Sequence, residues 1–243
     1  MKLDDIKKLQ QKKYRSEFGH FLVEGEHLLL ELYKAAAHDP RLLRSQLYVT
    51  AAYEHWPSPL RRHLITDRQM AQIAGTQTPQ GILAVVPLPD AGTPAGAPAA
   101  GERAIYLHEI QDPGNLGTIL RSLAWFGGFR CLLSPGSVDP YNPKVVRASM
   151  GAIFHTPLEL EVTLEALHAR FPRIACLDMQ GEPVQSAAFR DFDCYLFGNE
   201  ARGVPREQLA ALGARPFTIG GCGSIESLNL ASTVSLCAYE LSR

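Results

Sequence analysis

The 243-residue chain has no apolar run of membrane-spanning length and no CxxC pair. The first absence excludes a helical membrane span, which needs about 20 predominantly apolar residues in succession. The N-terminus, MKLDDIKKLQQKKYR, has no apolar core behind its charges, so no secretory signal is expected. The five cysteines, at 131, 176, 194, 222 and 237, are odd in number and scattered. They argue against a metal site and a disulfide framework, and favour reduced thiols in a cytoplasm, packed as core filler. An excess of positive charge is also missing. With 24 Lys and Arg against 25 Asp and Glu, the net charge is −1, so the chain as a whole is no basic nucleic-acid binder. The composition, 46% hydrophobic and 20% charged, suits a soluble globular protein, and the length allows two domains or one large one.

The charge that is present is unevenly placed. Residues 1–88 carry 12 Lys and Arg against 9 Asp and Glu, a balance of +3, and residues 103–243 carry 12 against 14, a balance of −2. Lys7 to Arg15 holds five cations and no acid. Such a patch can hold phosphates on an otherwise neutral protein, although a short charge run is more often a solvated helix face. Patterning predicts a helix over 2–13, a strand over 21–25, a helix over 26–37, strands at 46–50, 65–66 and 82–86, and a helix over 67–73. This describes a small α/β domain, 1–88. Residues 89–102 belong to a stretch, LPDAGTPAGAPAAGE, that is rich in Pro, Gly and Ala and has no apolar face to bury, so it is expected to be a linker.

The domain 103–243 alternates strand and helix. Strands are expected at 104–110, 130–134, 158–162, 173–177, 194–197 and 216–219, and helices at 115–126, 143–152, 163–171, 205–212 and 227–241. That alternation predicts a mostly parallel sheet covered on both faces. Ligands of such sheets lie beyond the carboxyl ends of the strands. Three loops there are rich in Asn, Glu, Gly and Ser. The first follows 104–110, where Asp112 or Asn115 caps the next helix and Gly117 stands one turn before Arg121 on the same face. The second is Gly198-Asn199-Glu200-Ala201-Arg202-Gly203. The third runs from Gly220 to Glu226 and leads into Ser227-Leu228-Asn229. One such loop is ordinary, whereas three on one sheet edge favour a binding site.

These three loops resemble the motifs of the SpoU-type (TrmH-like) RNA ribose methyltransferases of the SPOUT superfamily. Asn115-Leu-Gly117-Thr-Ile-Leu-Arg121 matches N-x-G-x-x-x-R. Leu196 to Gly203 matches G-N-E-x-x-G, and Ile219 to Asn229 matches a hydrophobic residue followed by x-x-x-G-x-x-x-S-L-N. The resemblance covers 104–243, and residues 13–25 resemble the ribosomal-protein-like RNA-binding domain that many members carry. It implies a C-terminal trefoil knot, S-adenosylmethionine as cofactor, a homodimer, and methylation of a ribose 2′-hydroxyl in rRNA or tRNA, with neither metal nor membrane involved. One departure stands out: Gly220 and Gly221 occupy positions where the family usually has Pro and Met. Two glycines loosen a loop that should be pre-organised and weaken its hold on the cofactor.

Residue roles follow from the resemblance. Arg121 is the catalytic residue. A guanidinium with a pKa above about 12 is a poor base, so it is expected to hold the target phosphate and stabilise the alkoxide. Asn115 orients the ribose or Arg121, Glu200 positions Arg121, and Ser227 and Asn229 open the last helix beside the substrate. The plain alternatives are a helix cap for Asn115, an ion pair with Arg202 for Glu200, and a cap for Ser227. Gly198, Ile219, Gly223 and Leu228 surround the cofactor. Lys12, Lys13 and Arg15 take RNA phosphates, Tyr14 stacks on a base, and Lys144 and Arg147 add contacts. His108 is taken as structural. Two other classes compete. A Rossmann-type nucleotide enzyme lacks its G-x-G-x-x-G here. A non-catalytic RNA-binding assembly factor on the same scaffold would not need the intact motif residues.

Overall fold

A computed structural model describes residues 1–89, 101–203, 205–225 and 227–243. The basic N-terminal stretch forms two helices, α1 (Leu3–Lys8) and α2 (Lys12–Phe18), rather than the one helix expected over 2–13. Gly19 closes α2 in the left-handed conformation, φ 66°, and its N–H bonds to the Arg15 carbonyl, which glycine does at no steric cost. Then follow β1 (His20–Glu24), α3 (Glu26–Ala36), β2 (Gln46–Val49), β3 (Arg61–Leu64), α4 (Asp67–Ile73) and β4 (Ile82–Pro87). Thr66 is the N-cap of α4 in a capping box with Gln69, so the strand expected at 65–66 lies earlier, in β3. The linker expected at 89–102 falls largely outside the described residues. Beyond it come β5 (Arg103–Leu107), α5 (Pro113–Phe126), β6 (Phe129–Leu133), α6 (Pro143–Ala148), β7 (Leu158–Glu159), α7 (Leu164–Arg170), β8 (Ile174–Pro183), β9 (Cys194–Phe197), α8 (Arg206–Ala211), β10 (Arg215–Thr218) and α9 (Leu230–Ser242).

The chain divides into two compact units, Met1–Thr93 with Asp139–His155, and Pro94–Val138 with Thr156–Arg243. The segment Asp139–His155, which sequence order assigns to the 103–243 domain, therefore packs with the first unit. The contacts that hold it there are specific. Arg15 pairs with Asp139, the Phe21 and Tyr141 rings lie 4.9 Å apart, and His155 Nε2 reaches the Glu31 carboxylate at 3.2 Å. The sheet of this unit has the order β1-β4-β2-β3, with β4 antiparallel to β1 and β2, and β3 parallel to β2 at the edge. Its core joins Ile6 and Leu9 of the N-terminal stretch to Leu22, Met70, Ile73 and Leu83.

In the second unit six strands lie parallel in the order β10-β8-β9-β5-β6-β7. The central strands β5 and β9 are almost wholly buried, as their unbroken apolar runs require. Tyr106 shows how a polar tip is accommodated there: its hydroxyl donates to the Val162 carbonyl at 3.0 Å. β8 runs on to Pro183, and its pairing with β10 jumps from Cys176 opposite Pro216 to Glu182 opposite Phe217. Gly181 permits this approach, since a Cβ there would stand 2.6 Å from the Pro216 carbonyl. No helix among the described residues is long and apolar enough to cross a membrane.

Candidate active site

Because the strands are parallel, β5, β9 and β10 end on one edge of the sheet. The loop after β5 leads into α5, and Asp112 caps that helix, accepting the Asn115 N–H at 2.7 Å. Pro113 fills the first helical position, where its missing N–H costs nothing. With Asp112 as cap, the Asn115 side chain is left for the site. Its Nδ2 donates to Glu200 Oε1 at 3.3 Å, and its Oδ1 accepts from Asn229 Nδ2 at 3.0 Å. One hydrogen-bonded chain, Asn229 to Asn115 to Glu200, thus joins the three motif loops.

Each end of that chain is anchored. Asn229 caps α9, its Oδ1 accepting from the backbone N–H of Ala231 at 2.9 Å and of Ser232 at 3.2 Å. The helix begins at Leu230, so Ser227 lies outside it and does not cap it; it is exposed. The Glu200 carboxylate accepts the N–H groups of Gln111 and Asp112, both at 3.2 Å. A carboxylate just ahead of a helix N-terminus is favoured by the helix dipole. Neither expected partner of Glu200 is bonded to it. Arg202 pairs with Glu109 instead, and Arg121 makes no hydrogen bond or ion pair with any described residue. Arg121 is exposed, and Gly117 one turn earlier is buried within the unit.

Sequence reasoning missed Glu109. Its backbone is left-handed, φ 48°, which is uncommon for a side chain of this kind. Its N–H donates to Ser134 Oγ at 2.7 Å, and its carbonyl accepts from Asn199 Nδ2 at 2.7 Å and Gln111 Nε2 at 3.0 Å. Asn199 is 6% exposed and shapes the second loop, its Oδ1 accepting the N–H groups of Ala201 and Arg202 at 3.0 Å. Glu109 therefore ties the ends of β5, β6 and β9 together, and the one signal in the sequence was a carboxylate at the end of a buried strand. His108 beside it is half-buried, with Nδ1 buried and unbonded. Burial holds its pKa below the ordinary histidine value against the pull of Glu109.

The third loop offers main chain to a ligand. From Ile219 to Leu228 the described residues make no backbone–backbone hydrogen bond. Side chains added at Gly220, Gly221 or Gly223 would meet open space, and Ile225 and Leu228 are exposed. Free main-chain donors and acceptors beside apolar side chains fit a ligand with a flat apolar body and polar edges. Gly198, at the end of β9, is half-buried. Four cysteines are buried, and burial pushes the thiols of Cys131 and Cys237 up to about 12. Cys222 is exposed in the third loop rather than in the core, and the neighbouring Ser224 lowers its pKa. No group of metal-binding side chains occurs among the described residues.

The residues expected to meet RNA all fall in the first unit, because α6 packs there. Lys12, Lys13 and Lys144 are exposed. Tyr14 stacks on Phe18 with centroids 5.8 Å apart, and Lys13 Nζ lies 5.6 Å from its ring centre. Arg147 is half-buried, and its Nη1 is buried without a partner. Arg15 corrects the expectation. It is 2% exposed, donates to Asp139 through Nε and Nη2, and bonds the Leu9 carbonyl through Nη1. Three of the five N–H groups of this guanidinium are engaged, and its burial leaves no open face for a phosphate.

The α/β fold with its parallel six-stranded sheet is that of the SPOUT-class methyltransferases. The chain belongs to the SpoU rRNA Methylase family, whose model matches residues 102–239. Residues 2–84 match the MRM3-like substrate binding domain. The 23S rRNA (guanosine(2553)-2′-O)-methyltransferase RlmP of Bacillus subtilis (strain 168) is 28% identical over 99% of this chain and 95% of its own. A TrmH-family structure from Porphyromonas gingivalis superposes with TM-score 0.82 at 29% identity, covering 98% of this chain and 96% of that one. An AdoMet-bound rRNA methyltransferase from Sinorhizobium meliloti superposes with TM-score 0.80 at 25% identity, over 98% and 93%.

Proposed function

We propose that this protein transfers a methyl group from S-adenosylmethionine to a ribose 2′-hydroxyl of rRNA or tRNA, as a knotted homodimer in the cytoplasm. The observation that carries the reading is the Asn229–Asn115–Glu200 chain, which joins three loops at the start of the helix that carries Arg121, an arginine with no partner among the described residues. The cofactor, held by Gly198, Ile219, Gly223 and Leu228, supplies an electrophilic methyl. Arg121 holds the phosphate of the target nucleotide and stabilises charge developing on the 2′-oxygen. Asn115, fixed at both ends of its amide, orients the ribose against Arg121. Glu200 keeps the Gln111–Asn115 turn in place, and Asn229 locks the start of α9 to it. Ser227 remains exposed to meet substrate. Lys12, Lys13, Tyr14, Lys144 and Arg147 take the RNA.

The homodimer has its own support. Trp125 on α5 is 84% exposed, and Leu236 and Tyr239 on α9 are 44% and 50% exposed. The rings of Phe126 and Tyr239 lie 6.0 Å apart, so α5 and α9 pack side by side and both carry exposed apolar side chains. Arg121 precedes Trp125 by one helical turn, so a second copy on that face would approach the arginine. The test of the whole reading is transfer of a radiolabelled methyl from S-adenosylmethionine to RNA from a strain lacking the gene, with Arg121→Ala alongside. Label in a 2′-O-methylnucleoside, lost in the variant, is the expected result. Cofactor binding without any label would favour the assembly-factor reading, and label on a base atom would refute the ribose assignment.

A further inference from the structure

The first unit contains a cleft of about 400 Å³ lined by Glu26, Ala51, Ala52, Tyr53, His55 and Trp56. Nothing in the proposed reaction uses it. Its walls come from the first turn of α3 and the loop after β2. Its large aromatic rings are those of Tyr53 and Trp56, with centroids 5.7 Å apart and planes inclined by 59°. The indole nitrogen of Trp56 is buried although the residue is only half-buried, so the cleft meets the carbon part of the ring. The Tyr53 hydroxyl donates to Oε1 of Glu26. The other carboxylate oxygen has no partner among the described residues, and no cation neutralises the group. The lining is held in shape. Arg62 donates to the carbonyls of Glu54 and Trp56, and Gln80 Oε1 accepts the Glu26 N–H at 3.1 Å.

We infer that this cleft takes an unpaired nucleobase, and that guanine fits it best. Single-stranded RNA is read by stacking bases on aromatic rings and by bonding their Watson–Crick edges. The volume lies within the range of small-ligand sites, about 300–1,000 Å³. A carboxylate only accepts hydrogen bonds, so it selects an edge with adjacent donors. Guanine presents N1–H beside its 2-amino group. Adenine and cytosine place an acceptor next to their amino group, and uracil flanks its one N–H with two carbonyl oxygens that a carboxylate repels. Arg62 on the edge strand β3, bonded to the backbone of the cleft wall, keeps a positive charge beside it for the RNA backbone. The inference rests on the reading of this protein as one that acts on RNA. A free guanine nucleotide carries the same base, so the test separates the two sources.

The experiment measures binding of the full chain to short fluorescent single-stranded RNAs with one guanosine, inosine or adenosine in a uridine run. Wild type should prefer guanosine over inosine, which lacks the 2-amino group, and over adenosine. Trp56→Ala should bind the guanosine RNA roughly five- to a hundred-fold more weakly, the range expected for loss of one stacked base. Glu26→Gln should lose the preference while keeping the salt dependence, which reports phosphate contacts alone. A photo-crosslink from 6-thioguanosine RNA to wild type needs no variant to fold, and should map to Tyr53 or Trp56. Equal wild-type affinity for the three RNAs, or a crosslink elsewhere, overturns the inference. Displacement of the RNA by GMP at matched concentration overturns the RNA source and assigns the cleft to a free nucleotide. Methyl transfer is followed in parallel. Activity without guanine preference sinks the cleft alone, and absence of activity in wild type sinks the underlying reading.

Discussion

Replacing Arg15 by alanine should destabilise the first unit rather than weaken RNA binding. The guanidinium donates twice to Asp139 Oδ2, at 2.9 and 2.5 Å, and once to the Leu9 carbonyl at 2.8 Å. The Asp139 side chain is 11% exposed, so the substitution leaves a nearly buried carboxylate without its cation. Breaking such a pair costs roughly 3–5 kcal/mol. Asp139 keeps a 2.9 Å bond from the Tyr141 N–H, which moves the expectation to the low end, about 3 kcal/mol. For a chain of this size each kcal/mol lowers Tm by about 2–4 °C, so a fall of about 6–12 °C is expected by circular dichroism. Arg15→Met with Asp139→Leu should recover most of the loss, because no charge is then left buried. RNA affinity of the folded variant should keep its salt slope. A melt within about 2 °C of wild type, together with a salt slope shallower by about 1, would refute this reasoning and return Arg15 to the RNA surface.

Asn199→Ala removes three hydrogen bonds that shape the second loop, each worth about 1 kcal/mol, and should raise the KM for S-adenosylmethionine roughly five- to a hundred-fold with a smaller change in kcat. Glu109→Gln, which disturbs only the exposed pair with Arg202, should stay near wild type; a fall in kcat at constant KM for Asn199→Ala would mean catalysis rather than positioning. Gly220→Ala with Gly221→Ala meets open space and no left-handed backbone, so stability should rise by about 0.4–1 kcal/mol per site and calorimetry should show tighter cofactor binding. Weaker binding would show that the ligand touches the main chain there. Trp125→Glu places a charge on the exposed apolar face and should convert a dimer to monomer in sedimentation velocity; an unchanged sedimentation coefficient would rule that face out. Glu159 concerns pH. Burial raises its carboxyl, but Arg170 and Arg130 more than offset this and hold it below the usual range. A lowered carboxyl contributes stability above its unfolded value, near 4.3, and loses it as pH falls through the folded value. Wild-type Tm should therefore drop more steeply than that of Glu159→Gln between about pH 5 and pH 3, and parallel curves would refute the assignment.

The pattern of what was legible follows from which signals are local. The unbroken apolar runs of β5 and β9 announce strands buried on both faces, and six of them alternating with helices leave a parallel sheet as the natural packing. The motif loops could be placed on one edge for the same reason, since parallel strands share a carboxyl end. β3 escaped because an edge strand, Arg-Arg-His-Leu, need not be apolar. The caps show a finer limit. Asp112 and Asn115 are both good caps, and only the geometry of α5 gives the role to Asp112 and frees Asn115 for the site. Asn229 and Ser227 divide in the same way at α9. Arg15 was misread because a charge run does not reveal which cation turns inward, and its partner, Asp139, lies 124 residues away. Chain order does not reveal the packing of Asp139–His155 either: it follows β6 and lies within the matched region 102–239, yet packs with the first unit. Lys144 and Arg147 then share a unit with Lys12 and Lys13, so that packing gathers the expected RNA contacts on one body.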